Sequence, residues 1–185
     1  MIKRLLDIGV AVIALLLLSP LLLATALAVA LDSDGPVLLR QTRIGRQGRA
    51  FGMYKFRSMV KDAARIGPYY TTADDPRITR VGRFIRRSSL DELPQLINVL
   101  RGDMSLVGPR PDVPAQKSLY TEADWALRCS VRPGITGLAQ ALYRSQAVGQ
   151  QRLEADLRYV REHNLWLDLK IILMTLQRLH GRGSN

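Results

Sequence analysis

Residues 8–31 read IGVAVIALLLLSPLLLATALAVAL, 24 positions without a formal charge. At about 1.5 Å per residue, a continuous helix of that length spans a bilayer core of roughly 30 Å. Length by itself predicts a membrane helix, but two features argue against a simple crossing. Ser19-Pro20 falls mid-run, and a proline without a backbone N–H leaves the carbonyl one turn back short of a donor, which encourages a kink. Basic residues also flank both ends: Lys3 and Arg4 before, Arg40, Arg43, Arg46 and Arg49 after. The positive-inside rule then favours both ends on the cytoplasmic face. A re-entrant hairpin bent at Ser19-Pro20 meets both observations, provided that Ser19 or a neighbouring helix satisfies the open backbone. A straight signal anchor stays open, because membrane helices tolerate proline. So does a cleavable signal peptide, for which Ala24-Thr25-Ala26 and Ala28-Val29-Ala30 offer small-residue patterns, although the apolar run is long for one.

Beyond this leader, taken as residues 1–34, residues 35–185 form the body. The whole chain of 185 residues suits one domain with an appendage. The first 31 residues hold only Lys3, Arg4 and Asp7 as charged groups, so nearly all of the net charge of +11 lies in the body. Such a body seeks anions: nucleic acid, anionic lipid head groups or phosphorylated substrates. A hydrophobic fraction of 47% excludes general disorder. Cys129, His163 and His180, the only residues of their types, cannot build a disulfide framework or an ordinary structural zinc site.

The body reads as α/β, mostly helical with short strands. Short strands are expected on both sides of the loop at 45–48. In Met53-Tyr54-Lys55-Phe56-Arg57-Ser58-Met59 the period of two puts Lys55 and Arg57 on one face. Residues 82–100 are helix-rich, with Leu93, Leu96, Ile97 and Leu100 at helical spacing, and residues 113–128 read as a further helix. Residues 151–180 read as helix in two portions. The second is dense in apolar residues, with Trp166 near its start, and suits either a membrane interface or a core. Residues 65–76 carry turn signals and form the expected flexible piece.

Ser89-Leu90-Asp91-Glu92-Leu93-Pro94-Gln95 is the sharpest local feature. Ser89 and Glu92 fit a capping box, with Pro94 in or near a first helical turn. Adjacent carboxylates at a helix N-terminus stay ionised, and phosphate is welcome there. An ionised Asp91 can attack phosphorus while Glu92 beside it holds Mg²⁺; simple capping explains the same pair. In Gly108-Pro109-Arg110-Pro111, two prolines fix where a guanidinium suited to phosphate points, unless this is a rigid surface turn. Val131-Arg132-Pro133-Gly134-Ile135-Thr136-Gly137 reads as a turn rather than a phosphate nest, since no Walker or dinucleotide fingerprint is present. Tyr143-Arg144 could stack on a base or merely pack.

Taken in order, Lys3-Arg4, Asp7, Ser19-Pro20, the stretch from Tyr54 to Met59, Ser89 to Gln95, Gly102-Asp103-Met104-Ser105-Leu106-Val107 running into Gly108-Pro109-Arg110-Pro111, and Val131 to Gln140 resemble the bacterial sugar transferase family. These are the small monotopic phosphoglycosyl transferases, and the chain resembles their minimal form. The resemblance implies a re-entrant leader bent at Ser19 and Pro20, a catalytic domain with interfacial helices, and residence on the cytoplasmic face of the bacterial inner membrane. It implies transfer of a phosphosugar from a nucleotide diphosphate sugar, usually a UDP-sugar, to a polyprenol phosphate such as undecaprenyl phosphate, releasing UMP and starting glycoconjugate assembly. By position, Asp91 is the nucleophile, Glu92 the Mg²⁺ ligand and Arg110 the phosphate clamp, with Lys55, Arg57, Arg86 and Arg144 as further cationic contacts. Many relatives place a glycine just before an arginine after the stretch matching Leu138-Ala139-Gln140, whereas this chain has Ala141-Leu142-Tyr143-Arg144, so sugar specificity does not transfer.

The competing class is a noncatalytic membrane-anchored module that binds anionic lipid. It accounts for charge and leader but not for Asp91-Glu92, Arg110 and paired prolines together. Nucleic acid is not an expected partner, since the cations are dispersed and no reading module occurs. Membrane lipid is an expected partner, and a homodimer is left open.

Overall fold

A computed structural model describes residues 2–67, 72, 75–143 and 149–180. The leader is helix α1 (Ile2–Asp32), long and apolar enough to cross a membrane. It runs on through Ser19-Pro20 rather than stopping there. Pro20 has no N–H to give the Leu16 carbonyl, and the Ser19 hydroxyl donates to that same carbonyl at 2.8 Å instead.

Both ends of α1 are fastened to the body. Near its start, Lys3 pairs with Asp168 at 2.5 Å, and Arg4 donates to the carbonyls of Val99 and Leu100. The buried Asp7 carboxylate accepts from the Ser105 hydroxyl at 2.8 Å and from the Leu106 N–H. At its other end, Asp32 accepts from the Val81 N–H at 3.1 Å, and Val29 packs with Phe56 and Ile85. Between these anchors, Leu16, Leu17 and Leu21 are exposed.

Strands β1 (Leu38–Ile44) and β2 (Ala50–Phe56) pair antiparallel, with Gln41 opposite Met53. The expected glycine-bearing loop joins them, and Gln47 and Gly48 take positive φ there. A short helix, α2 (Ala63–Ile66), and then α3 (Arg80–Arg87) follow. The Thr79 hydroxyl caps α3 by accepting from the Gly82 N–H. The expected flexible piece at 65–76 lies partly outside the described residues.

After a 3₁₀ turn at Leu90–Glu92 comes α4 (Gln95–Arg101). Its Asn98 is fully buried and accepts from the Tyr54 N–H at 2.9 Å while donating to the Gly52 carbonyl at 2.8 Å. One side chain thus supplies β2 with both kinds of hydrogen bond and locks α4 against it. Ala11 of α1 packs in the same layer with Met53, Leu96, Val99 and Met104.

Strands β3 (Ser105–Val107) and β4 (Gly134–Thr136) pair in parallel. A Cβ on Gly134 would lie 2.1 Å from the Gly108 nitrogen, so the two glycine motifs serve close backbone approach rather than a phosphate nest. The expected continuous helix at 113–128 is instead a 3₁₀ stretch (Pro114–Leu119) and α5 (Glu122–Arg128). Tyr120 is extended between them, its hydroxyl donating to Asp112 at 2.8 Å, and Thr121 caps α5. Helix α6 (Leu138–Tyr143) leads to α7 (Gly149–Glu162) and α8 (Leu165–His180), the two portions expected from the sequence. Helix α8 turns Ile171 inward and leaves Trp166, Leu169, Leu173 and Leu176 exposed. The buried Tyr159 hydroxyl donates to Asp168 at 2.7 Å, tying α7 to α8 beside the Lys3 pair.

Candidate active site

Asp91 and Glu92 occupy the tight turn between α3 and α4. The turn is entered through Ser89, whose φ of 60° is left-handed and whose hydroxyl caps nothing. The capping box therefore does not form. A capping serine needs extended backbone, whereas positive φ at Ser89 turns the chain so sharply that adjacent carboxylates meet different partners.

Asp91 is 4% exposed, and its Oδ2 lies 3.1 Å from Lys55 Nζ on β2. Burial pushes its pKa up, while the Lys55 charge, and more weakly Arg86, pull it down. Glu92 is held by both arms of Arg110, at 2.5 Å and 3.3 Å. Burial alone would raise the Glu92 pKa. The charge and hydrogen bonds of Arg110, aided by Lys55 and Arg43, outweigh it and bring the carboxyl down to about 2. Arg110 itself is 39% exposed, so the clamp opens to solvent.

Three expected residues thus join the dyad: Lys55 and Arg110 by contact, Arg86 through its field on Asp91. Arg57 does not. Strand β2 ends at Phe56, so strand alternation does not carry to Arg57. Its guanidinium reaches the C-terminus of α1, donating to the carbonyls of Val29, Ser33 and Pro36 and to the Ser33 hydroxyl. A helix C-terminus offers unpaired carbonyls and negative dipole, which suits a buried cation. Arg144 lies outside the described residues.

Sequence reasoning missed two groups beside the dyad. Arg43 on β1 donates to the Pro111 carbonyl at 3.3 Å, and its Nε is buried with no partner among the described residues. Burial and then Arg110 hold the Arg43 pKa below the usual arginine range. The second group is a buried ionic lattice. Arg128 pairs with Asp112 at 2.6 Å and Asp156 at 2.9 Å, while Arg152 pairs with Asp112 at 2.6 Å. Arg128 also donates to the carbonyl of Arg110 at 2.5 Å, so the lattice fixes the backbone from which the clamp projects. No local pattern singles out Arg43; of the lattice, only Arg152 and Asp156, four residues apart on α7, have a spacing that the sequence shows.

The turn gives each of two neighbouring carboxylates its own cation, and the leader is fastened to the body at both ends. The sequence model of the bacterial sugar transferase family covers residues 1–182. The chain belongs to this family. Among curated members, it is 48% identical over 95% of its length to the undecaprenyl-phosphate glucose phosphotransferase of Komagataeibacter xylinus. It is 47% identical, also over 95%, to the UDP-glucose:undecaprenyl-phosphate glucose-1-phosphate transferase of Escherichia coli K12. The chain spans 35% and 39% of those two proteins. The exopolysaccharide production protein PSS of Rhizobium leguminosarum is matched over 96% of its own length, at 43% identity. The sugar transferase match thus takes in the leader, the carboxylate turn and the Arg110 clamp together.

Proposed function

We propose that this chain transfers a phosphosugar from a UDP-sugar to undecaprenyl phosphate, releasing UMP, as the first membrane step of glycoconjugate assembly. The observation that carries this reading is the Asp91-Glu92 turn, with Lys55 on one carboxylate and Arg110 on the other. The names of the two longer relatives supply the substrate class.

In the first step an Asp91 oxygen attacks the sugar-proximal phosphorus of the donor. The bond from that phosphorus to the bridging oxygen breaks, UMP departs with that oxygen, and an aspartyl phosphosugar remains. In the second step an oxygen of the polyprenol phosphate attacks the same phosphorus. The Asp91 carboxylate leaves, and the product is a polyprenyl diphosphosugar. Neither step needs a proton removed from the attacking group. Splitting the transfer also means that two anionic substrates never have to approach each other at once. Burial leaves the Asp91 pKa raised, Lys55 opposes that rise, and Arg110 is open enough to take donor phosphate oxygens.

Hard carboxylate oxygens are the donor type Mg²⁺ takes. The described residues hold no cluster of three metal-binding side chains, so the protein would supply few ligands, and donor phosphate oxygens and water would supply the rest. Glu92 would hold the ion while sharing its oxygens with Arg110, and the ion would neutralise phosphate charge as the donor splits.

The leader enters and leaves by one membrane face, the cytoplasmic face of the inner membrane. Support comes from the fastening of both its ends to one body, with the segment around Ser19-Pro20 exposed. The exposed stripe of α8 lies in the interface with Trp166 at head-group depth.

The test uses purified chain in detergent with a panel of UDP-sugars and undecaprenyl phosphate, following UMP. At least one donor supports release. A folded protein that releases no UMP with any donor would refute the reading.

A further inference from the structure

A cavity of about 360 Å³ lies apart from the carboxylate turn, sharing none of its lining with it. Its walls bring together Lys3, Arg4 and Asp7 from the start of α1, Arg46 from the hairpin loop and Arg132 from the segment before β4. Lys3 is paired with Asp168 and lies 4.0 Å from Asp7, the one carboxylate in the cavity lining, which accepts from the Ser105 hydroxyl and the Leu106 N–H.

Among the described residues the three arginines have no carboxylate at ion-pair distance. Arg4 meets the carbonyls of Val99 and Leu100, Arg46 that of Ser130 at 3.1 Å, and Arg132 that of Gly102 at 2.9 Å. Carbonyl oxygens orient a guanidinium without cancelling its charge. The three cations also repel one another: burial first, then Arg4 and Arg46, hold the Arg132 pKa below its usual range, with Asp7 opposing them more weakly. An anion in the cavity would relieve that repulsion. Guanidinium forks converging from three separate segments suit a group with oxygens in several directions better than a planar carboxylate. Lys3 and Arg4 precede the apolar run by about one helical turn, which sets the cavity where α1 becomes wholly apolar.

We propose that this cavity binds a phosphate group, carried either by an anionic phospholipid head group or by free phosphate. The full chain in uncharged detergent is titrated with inorganic phosphate by thermal shift. In parallel it is offered phosphatidylglycerol or phosphatidylcholine, and retained lipid is counted by native mass spectrometry. The pocket variant carries Arg46→Gln and Arg132→Gln, which keep a donor for the two carbonyls. A control variant removes equal charge elsewhere, through Arg49→Gln and Arg83→Gln.

One phosphate or one phosphatidylglycerol per chain is expected in wild type and control. Affinity falls at least about tenfold in the pocket variant, the scale of one charge-assisted hydrogen bond. Phosphatidylglycerol alone identifies a head-group site; response to inorganic phosphate as well identifies a general phosphate site. Where the double variant fails to fold, Arg46→Gln alone changes an exposed side chain and carries the same expectation. No saturable binding, unchanged binding in the pocket variant, or an equal loss in the control would overturn the proposal.

Discussion

Breaking the Glu92–Arg110 pair should cost stability in a way that pH reveals. The Glu92 carboxyl lies at about 2 in the folded chain against an ordinary 4.5. At about 1.36 kcal/mol per pH unit this corresponds to roughly 3 kcal/mol. Arg110 is 39% exposed, so solvent screening reduces the pair's own share to about 1–2 kcal/mol. The sign follows from a depressed carboxylate: the stabilisation is fully present above 4.5 and is lost as pH falls toward 2. At pH 3 about two fifths of it remains. A double-mutant cycle with Glu92→Gln and Arg110→Gln isolates the term. It is read by guanidinium unfolding of the detergent-solubilised chain, through fluorescence of the buried Trp125. A coupling of about 1–2 kcal/mol at pH 7, falling to less than half at pH 3, is expected. Coupling below about 0.3 kcal/mol at pH 7, or equal coupling at both pH values, would refute the argument.

Asp91→Asn should abolish the mass increase of one phosphosugar seen with donor alone and reduce turnover by at least about a thousandfold. Glu92→Gln should keep the label and lose Mg²⁺ dependence; intact-protein mass spectrometry distinguishes the two. Lys55→Met removes the cation that opposes burial at Asp91, so the acid limb of the rate profile moves to higher pH, whereas an unmoved limb would assign Lys55 to substrate alone. Arg43→Gln should lower kcat/KM about tenfold or more at little cost in stability, if its buried Nε awaits a substrate oxygen. Arg128→Met leaves Asp112 to Arg152 alone and Asp156 with Arg152 only at 4.0 Å, and should destabilise the fold by about 3 kcal/mol or more in denaturant titration.

Local chemistry was legible in the sequence where it acts within a turn or two. Ser19 could be paired with the carbonyl that Pro20 abandons, because both lie on one helix. The glycine-bearing hairpin loop and the two C-terminal helices followed from spacing alone. Reading Ser89 as a helix cap failed because a single backbone angle decides it, and a capping sequence does not fix φ. Arg57 was misdirected for a related reason: alternation holds only while a strand lasts, and β2 ends one residue earlier. The Arg128 lattice and the Asn98 bridge connect residues 28 and 46 positions apart. Such pairs leave no periodic trace, and strands of three residues such as β3 and β4 are too short to show one.

The placement of Arg57 has its own consequence, because it stands two residues from Lys55. One short stretch of backbone thus presents the cation that holds Asp91 and the cation that holds the end of α1. The other end of α1 does the same on the opposite partner, since Arg4 grips the last carbonyls of α4 while the Asp91-Glu92 turn leads into the first turn of that helix. Asn98 then ties α4 to β2 between these two grips. Asp91 and its counter-charge are therefore positioned by elements that the leader clamps from both ends. Loosening either end of α1 is therefore expected to disturb the 3.1 Å separation of Lys55 and Asp91. Anchoring at the membrane and alignment of the carboxylate turn are in this fold one mechanical problem, met by the same four side chains: Arg4, Lys55, Arg57 and Asn98.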